Sequence, residues 1–179
     1  MSISGRMCKA LIKKIVPAIS LLLMVSACHT SKIYIVRHAE RLDDSADTPL
    51  SEAGHRRAKA LSDSLYNQAI DYIFVSKYQR NRQTAQPLIE RLGKSYEIYE
   101  PKPTGVILER LGQIKGKNAV VVGHSDTILE IAKGLGTKPS ILNIVHEDYD
   151  NLFVITVKEG IFRRNVQLEE KTYGQKTLP

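Results

Sequence analysis

Short apolar runs alternate with helical segments along most of this chain, and this alternation restricts how it can fold. The clearest apolar runs have the length and β-branched content of buried strands: residues 33–36 (IYIV), 70–75 (IDYIFV) and 119–122 (AVVV). Helical periodicity follows two of them, in residues 51–68 and 85–92. Strands joined by helices of about a dozen residues pair in parallel, with helices on both faces of the sheet.

The second half of the chain begins with the same alternation and then departs from it. A weaker strand is predicted at residues 96–99, and helices are predicted at 104–114 and around 128–135. Residues 152–157 and 161–168 then form a predicted antiparallel hairpin. The sequence therefore predicts an α/β fold with a mostly parallel sheet and an antiparallel edge strand. Ligands of such sheets bind at the carboxyl ends of the strands.

The first 27 residues differ from the rest of the chain in charge and in apolar content. Four basic residues and no acidic residue accompany an apolar run over residues 15–25. A basic start and an apolar run too short to span a bilayer comfortably are typical of a secretory signal peptide. We therefore expect residues 1–27 to be removed on export and to form no part of the fold.

The leader ends in Val25-Ser26-Ala27. Together with Cys28, which follows it, this segment resembles a bacterial lipobox. The resemblance implies that Cys28 is the first mature residue and that its thiol carries a diacylglyceryl group, which anchors the exported protein to the membrane of the bacterial cell envelope. A plain signal peptide and an N-terminal membrane anchor are the alternatives. We expect a short lipid-anchored tether at 28–31, a folded domain at 32–170 and a polar tail at 171–179.

Removal of the leader changes what the composition implies. The full chain has 26 Lys and Arg against 19 Asp and Glu, a net charge of +7, but the mature chain has 22 against 19. The charge argument for a nucleic-acid partner therefore largely disappears. The two cysteines are Cys8 and Cys28, so no intramolecular disulfide is possible once the leader is gone. A metal site has little support, because no pair of histidines has ligand spacing.

Charged and titratable side chains follow three of the predicted strands. RHAE at 37–40 follows the first strand, GH at 123–124 follows the AVVV strand, and SKYQRNRQTA at 76–85 follows the second. Because the carboxyl ends of parallel strands meet at one edge of the sheet, we expect two histidines and at least two arginines there. Such a set suits a doubly or triply charged oxyanion.

Four segments of the chain closely resemble the histidine phosphatase superfamily, which also contains the cofactor-dependent phosphoglycerate mutases. They are RHAER (37–41), DTPLSEAG (47–54), SKYQRNRQTA (76–85) and VVVGHSDTI (120–128), in the order in which the family has them. The resemblance implies a three-layer α/β/α sandwich and a covalent phosphohistidine intermediate. It also implies that His38 is the nucleophile, that Arg37 and Arg80 hold the phosphoryl oxygens, and that His124 completes the pocket.

The chemistry of these residue types agrees with the implied roles. A neutral imidazole is a competent nucleophile toward phosphorus, and neighbouring positive charges keep it neutral by lowering its pKa. The planar fork of arginine binds two phosphoryl oxygens at once and keeps its charge. Since charge neutralisation supplies most of the catalysis in phosphoryl transfer, no cofactor or metal is expected.

The acid that protonates the leaving oxygen is less well defined. Many relatives place it between the second arginine and the second histidine, where this chain offers Glu97, Glu100 and Glu109. Others place it just after the second histidine, where Asp126 stands. Asp126 and Glu100 are the leading candidates, and a helix cap or a solvated charge is the alternative for each. Glu40 is expected to orient its neighbours from outside the pocket.

The leading hypothesis is an exported, lipid-anchored phosphomonoesterase that acts on a phosphorylated small molecule or phosphoprotein. Only 43 residues lie between Arg80 and His124, where larger members of the family carry an insertion that covers the substrate. The expected open pocket argues against a mutase, which must shield its phosphoenzyme from water. The alternatives are a phosphohistidine-protein phosphatase and a non-catalytic surface lipoprotein that binds phosphate groups.

Overall fold

The computed structural model describes residues 28–177, so the predicted leader at 1–27 lies outside the described part of the chain. The strands are β1 (His29–Arg37), β2 (Ile70–Ser76), β3 (Glu97–Tyr99), β4 (Asn118–Gly123), β5 (Asn151–Glu159) and β6 (Arg164–Thr172). The helices are α1 (Glu52–Leu65), α2 (Gln79–Leu92), α3 (Gly105–Gln113) and α4 (Ser125–Gly134). None of these helices has both the length and the apolar character that are needed to cross a membrane.

The six strands form one sheet in the order β3-β2-β4-β1-β5-β6. The first four strands in this order run parallel to one another. β5 runs antiparallel to both β1 and β6, so an antiparallel hairpin forms one edge of the sheet. The prediction of a mostly parallel sheet with an antiparallel edge is confirmed.

Two apolar clusters cover opposite faces of the sheet. One cluster joins Leu61 of α1 to Val120 of β4, and the other joins Ile131 of α4 to Val121 of the same strand. Neighbouring residues of a strand point to opposite faces, so the unbroken apolar run in β4 serves both layers of helices. The molecule is therefore a three-layer α/β/α sandwich, and residues 28–177 contain the whole sheet and both cores.

The sheet begins earlier than the sequence predicted. Residues 29–31 pair with residues 157–159 of β5, which corrects the expectation of a free tether at 28–31. Two of these three residues are exposed, so their pattern is that of a solvated segment. The third, Ser31, is buried and donates a hydrogen bond to the carbonyl of Ile114 at 2.9 Å. Cys28 is the one described residue that precedes β1.

The carboxyl-terminal segment is also more ordered than a polar tail. β6 continues to Thr172, Tyr173 is buried, and the amide of Thr177 donates to the carboxylate of Asp150 at 3.0 Å. The predicted tail at 171–179 is therefore corrected for residues 171–177, which pack on the domain. Tyr173 is a single buried aromatic residue among polar ones, so the segment has no apolar periodicity from which its packing could be predicted.

Candidate active site

Strand pairing brings the two predicted site histidines to the same place. Arg37 at the end of β1 lies opposite Gly123 at the end of β4, and the amide of His38 donates to the Gly123 carbonyl at 2.9 Å. The rings of His38 and His124 are 5.4 Å apart between centroids and meet edge to face. β2 ends beside them, where the hydroxyl oxygen of Ser76 is 2.9 Å from Nε2 of His124.

The first turns of α2 are hydrogen-bonded to the end of β4 and to the loop that follows β1. The side-chain amide of Asn81 donates to the carbonyls of Val122 and Gly123 at 3.1 and 3.0 Å. The hydroxyl of Thr84 accepts from the backbone amide of Ala39 at 2.9 Å. Both side chains are fully buried. These contacts fix the position of Arg80 relative to the two histidines, although sequence analysis gave Asn81 and Thr84 no role.

The ring of His38 is held in one protonation state. The side chain is buried, and its Nδ1 lies 2.9 Å from the carbonyl oxygen of Ala39. A carbonyl oxygen only accepts hydrogen bonds, so Nδ1 carries the proton and Nε2 carries the lone pair. The pKa of His38 is lowered to about 2, mainly by burial, against the opposing effect of the Ala39 carbonyl and with smaller lowering effects from Arg37, His124 and Arg80. His38 is therefore a neutral imidazole with a free Nε2.

Arg37 is fixed by the loop that precedes β5. Its Nη1 donates to the carbonyls of Val145, His146 and Asp148 at 2.9 to 3.0 Å, and its guanidinium carbon lies 4.1 Å from the ring centre of Tyr149. Its Nε is buried without a hydrogen-bond partner among the described residues. A buried donor without an acceptor is costly, and an oxyanion in the pocket would supply the acceptor.

Arg80 is held in a similar way on the other side of the pocket. Its Nη1 donates to the carbonyl of Ala46 at 3.0 Å, and its guanidinium carbon lies 4.5 Å from the ring centre of Tyr78. Its Nε is likewise buried without a partner in the described part of the chain. Each arginine thus uses one nitrogen to bind the protein and keeps further donors for a ligand.

His124 completes this group of side chains as a second neutral ring. Burial lowers its pKa to about 4, with help from Arg80 and Arg37 and against the opposing effect of Asp126. Its ring also meets that of Tyr78 edge to face at 5.2 Å between centroids. Two neutral imidazoles and two arginine side chains therefore lie together at the edge of the sheet where the sequence analysis expected them.

An open cleft of about 450 Å³ leads away from this pocket. Tyr78, Arg80 and His124 line its inner part, and both candidate acids line its rim. Glu100 pairs with Lys77 at 2.8 Å, and Asp126 pairs with Lys102 at 2.8 Å. More than half of each carboxylate side chain is exposed. The structure therefore places both predicted acids beside the pocket, at the solvent boundary.

Asp126 lies in the first turn of α4 but does not cap the helix. His124 occupies the cap position, and its backbone amide donates to the hydroxyl of Thr127 at 2.9 Å. Burial acts to raise the pKa of Asp126, but Lys102 and the backbone amide of Thr127 outweigh it, so the pKa is lowered. A carboxyl group with a lowered pKa is ionised near neutral pH.

Glu40 contacts a residue that sequence analysis missed. Its carboxylate accepts from Nε of Arg57 at 2.9 and 3.0 Å and from Nη2 at 2.7 Å. Arg57 is buried in α1 and also donates to the carbonyls of Tyr173 and Gln175 at 3.0 and 2.8 Å. Glu40 therefore ties the loop after β1 to α1 and to the carboxyl-terminal segment.

Comparison with known proteins shows what this chain is similar to. Residues 33–101 match the family model of the histidine phosphatase superfamily (branch 1). A probable phosphatase of Schizosaccharomyces pombe is 34% identical over 97 residues, which cover 50% of this chain and 44% of that protein. The match thus spans less than half the length of this curated relative.

Solved structures share the fold over most of their length. A mycobacterial glucosyl-3-phosphoglycerate phosphatase superimposes with a TM-score of 0.65 and 14% identity, covering 81% of this chain and 100% of the other. The protein histidine phosphatase SixA, complexed with tungstate, gives a TM-score of 0.62 and 18% identity, covering 79% and 96%. Residues 33–101 are therefore similar in sequence to the histidine phosphatase superfamily, and the chain shares the fold of these solved structures.

Proposed function

We propose that this protein is a phosphomonoester hydrolase that acts through a phosphohistidine formed on His38. The observation that carries the proposal is the state of the His38 ring: Nδ1 is committed to the Ala39 carbonyl, which leaves the Nε2 lone pair free. Arg37 and Arg80 stand beside it, each with a buried Nε donor that lacks a partner in the described residues. A phosphoryl group would satisfy both donors and meet the nucleophile.

In the first step, the Nε2 lone pair of His38 attacks phosphorus. The Nε2–P bond forms as the bond from phosphorus to the ester oxygen breaks, and the ester oxygen leaves with the electron pair and takes a proton. The ring becomes positively charged, and the Ala39 carbonyl stabilises it through the Nδ1 proton. Arg37 and Arg80 neutralise the phosphoryl oxygens, which is the main requirement of phosphoryl transfer.

In the second step, water attacks phosphorus on the phosphohistidine. The O–P bond forms as the Nε2–P bond breaks, the electron pair of that bond returns to the imidazole of His38, and inorganic phosphate leaves with the protons of the attacking water. The open cleft supports this step because it adjoins the pocket at Arg80 and His124, from where water would reach the intermediate, although His38 itself does not line the cleft. The same openness opposes a mutase, in which the phosphoenzyme must survive until a second substrate accepts the phosphoryl group.

Removal of the nucleophile tests the proposed reaction. Purified protein is expected to hydrolyse p-nitrophenyl phosphate, and His38→Ala is expected to abolish the activity. His55→Ala is the matched control, since His55 is an exposed histidine on α1. Labelled phosphate trapped on the wild-type enzyme should be labile in acid and stable in base. Equal hydrolysis by the His38 variant and wild type would overturn the role of His38, whereas no hydrolysis by either protein would favour a non-catalytic lipoprotein that binds phosphate groups.

Glu100 and Asp126 are the proposed donors of the proton to the leaving oxygen, because both line the cleft beside the pocket. The lowered pKa of Asp126 leaves it ionised near neutral pH, so Glu100 is the first of the two to test. An alkyl phosphate such as glycerol phosphate needs this proton, whereas the nitrophenolate group leaves without it. For the true donor, Glu100→Gln or Asp126→Asn should lower turnover of glycerol phosphate by about 10²-fold or more and spare p-nitrophenyl phosphate. Glu97→Gln is the control, because Glu97 is paired with Arg110 at 2.7 Å. A loss that is equal on both substrates contradicts the assignment.

A phosphohistidine-protein phosphatase is the second candidate, and the open cleft favours it. The rim carries the paired charges Lys77–Glu100 and Lys102–Asp126 at the surface, where a protein substrate has access to them. The fold is also shared with the protein histidine phosphatase SixA. A panel of sugar phosphates, nucleotides, phosphopeptides and a phosphohistidine-bearing protein separates the two, since a protein phosphatase should prefer the last by kcat/KM.

The cellular location is also proposed, as an exported protein anchored to the bacterial cell envelope through a lipid on Cys28. The lipobox-like sequence supports it, and Cys28 is exposed with a free thiol, so its sulfur is accessible. Labelled fatty acid should be incorporated into the wild-type protein and not into Cys28→Ala. Absence of label in the wild-type protein would overturn the anchoring while leaving the phosphatase proposal intact.

A further inference from the structure

The end of the sheet opposite the catalytic pocket combines the start of the domain with a surface turn. Cys28 comes directly before β1, and the first residue of β1, His29, pairs with Glu159 at the end of β5. The turn of residues 160–163 follows β5, and the sulfur of Cys28 lies 3.5 Å from the position that a Cβ would take on Gly160. The proposed lipid attachment site therefore touches this turn.

The turn presents apolar side chains to solvent. Phe162 is 96% exposed and Ile161 is 48% exposed, at the tip of the hairpin. Both lie outside the two core clusters of the sheet. An aromatic and an aliphatic residue at the tip of a loop form a small apolar surface of the kind that enters the boundary between lipid headgroups and acyl chains.

Basic residues flank this apolar tip. Arg163 and Arg164 follow Phe162 in the chain, and Lys115 lies in the same surface depression. Glu159 is the acidic residue among the side chains that line it, and its contacts with Lys115 and Arg164 are 3.7 and 3.6 Å long. The surface is therefore net positive, which complements anionic phospholipid headgroups.

The length of β1 fixes the relation between this surface and the active site. β1 runs from His29 beside the turn to Arg37 in the pocket, a span of about 26 Å at ~3.3 Å per residue. The catalytic cleft opens at the carboxyl end of the strand and the turn lies at the amino end. A membrane that contacts the turn would leave the cleft on the far side of the domain.

We propose that the turn 160–163 inserts Ile161 and Phe162 into an anionic phospholipid bilayer beside the lipid on Cys28, and that this holds the catalytic cleft facing away from the membrane. The inference rests on the proposed membrane attachment at Cys28, and an uncleaved apolar leader would bring the membrane to the same end. In this orientation the enzyme acts on water-soluble phosphomonoesters rather than on phospholipids of its own membrane.

The absence of tryptophan from the chain provides a direct test. Phe162→Trp places a single reporter at the tip, and Leu42→Trp places one at a 61% exposed leucine in the loop after β1, at the catalytic end. Residues 28–179 retain one cysteine, so vesicles that contain a maleimide phospholipid couple at Cys28 alone. Retained hydrolysis of p-nitrophenyl phosphate by the coupled protein confirms that this chain is folded.

On vesicles of phosphatidylglycerol with brominated acyl chains, the tryptophan at 162 should shift its emission to the blue and be quenched, and the one at 42 should do neither. Quenching at 42, or at neither position, overturns the proposal. A blue shift at 162 that needs no vesicles and grows with protein concentration indicates a second copy of the chain and also overturns it. Because the coupling is chemical, the outcome does not depend on lipidation in cells.

The basic flank gives an independent measurement with the uncoupled chain. Arg163→Ala should weaken binding to phosphatidylglycerol vesicles by about fivefold, the effect of one basic side chain near an anionic surface. Phe162→Ser should weaken binding to these vesicles further. Vesicles of phosphatidylcholine alone should bind little of the wild type or of either variant. Equal affinity of the wild type and both variants for the anionic vesicles contradicts the proposed contact.

Discussion

The two ends of the sheet differ in how they hold their charged side chains. At the carboxyl end, Arg37 and His38 are buried, and backbone carbonyls fix one nitrogen of each at 2.9 to 3.0 Å. At the amino end, Lys115 is exposed and reaches Glu159 only at 3.7 Å, and Arg164 is half-exposed, 3.6 Å from Glu159 and with a longer hydrogen bond of 3.2 Å to the carbonyl of Leu135. Catalysis needs groups that are positioned before the substrate arrives, whereas contact with a fluid surface needs groups that are free to move.

β5 connects these two ends. The loop that precedes it supplies the three carbonyls that hold Arg37, and the turn that follows it carries Phe162. The strand between them pairs with β1 from Leu152 to Glu159, which is all but its first residue. One rigid strand thus separates the chemical end of the molecule from the proposed membrane end, so changes at one end should leave the other intact.

Among substitutions that keep the charge of the pocket, Arg37→Lys is expected to have the largest effect on catalysis. Lysine keeps the charge, but its single nitrogen cannot bind the three carbonyls and also offer a second donor to the phosphoryl group. We expect kcat/KM for p-nitrophenyl phosphate to fall by about 10² to 10³, which corresponds to about 3 to 4 kcal/mol. Arg82→Lys is the control, because Arg82 binds the carbonyl of Lys77 outside the pocket. A loss of similar size in both variants would mean that the carbonyl cradle of Arg37 has no special role.

Arg57→Ala is expected to have the largest effect on stability. It removes the partner of Glu40 and the donor to the carbonyls of Tyr173 and Gln175, all at or near the catalytic end. Loss of one partner of a buried ion pair costs about 3 kcal/mol or more in the free energy of unfolding.

The neighbouring residue of α1 provides the control for this prediction. Arg56 is exposed and its contact with Glu52 is 3.9 Å long, so Arg56→Ala should change stability by only about 0.5 kcal/mol. Urea denaturation of both variants makes the comparison. If both substitutions lower the free energy of unfolding equally, the buried contacts of Arg57 stabilise the fold no more than those of an exposed arginine do.

The pocket histidines should make stability depend on pH. The folded state lowers the pKa of His38 to about 2 and that of His124 to about 4, whereas an unfolded histidine titrates near pH 6.5. The unfolded chain therefore binds more protons below pH 6.5, and stability falls as the pH falls through that window. Between pH 7 and pH 5 each of these two histidines should lower the free energy of unfolding by about 2 kcal/mol.

Denaturation by urea at the two pH values tests this dependence. His38→Asn should lose less stability than wild type on going from pH 7 to pH 5, and His55→Asn should behave like wild type because His55 is exposed. The same loss in wild type and in His38→Asn would show that His38 is not buried as a neutral ring.

Much of the fold and the centre of the site were predictable from the sequence. The apolar runs in β1, β2 and β4 are buried on both faces, so they appear as unbroken apolar segments between helices. Parallel pairing then requires that the residues after each strand meet at one edge, which places His38 and His124 together. The motif around Arg80 completes the pocket because it begins the next helix at that edge.

The supporting contacts were not predictable, because they depend on backbone atoms or on tertiary burial. The carbonyls that hold Arg37 carry no signature in the side chains of residues 145–148. Arg57 lies in a helix that packs on the sheet, and the charged residues of such a helix are expected on its solvent face. Only the structure shows why glycine stands at position 54: a Cβ on Gly54 would lie 2.2 Å from the carbonyl oxygen of Glu40.

Phe162→Ser is expected to have the smallest effect on catalysis, and it tests the separation of the two ends most directly. Its side chain is 96% exposed and lies about 26 Å from the pocket along β1, so kcat/KM for a soluble substrate should stay within about twofold of wild type. The same substitution should weaken binding to anionic vesicles. A parallel loss of catalysis would show that the turn is coupled through β5 to the loop that holds Arg37. The two ends would then act as one unit, and membrane contact would regulate the phosphatase instead of only orienting it.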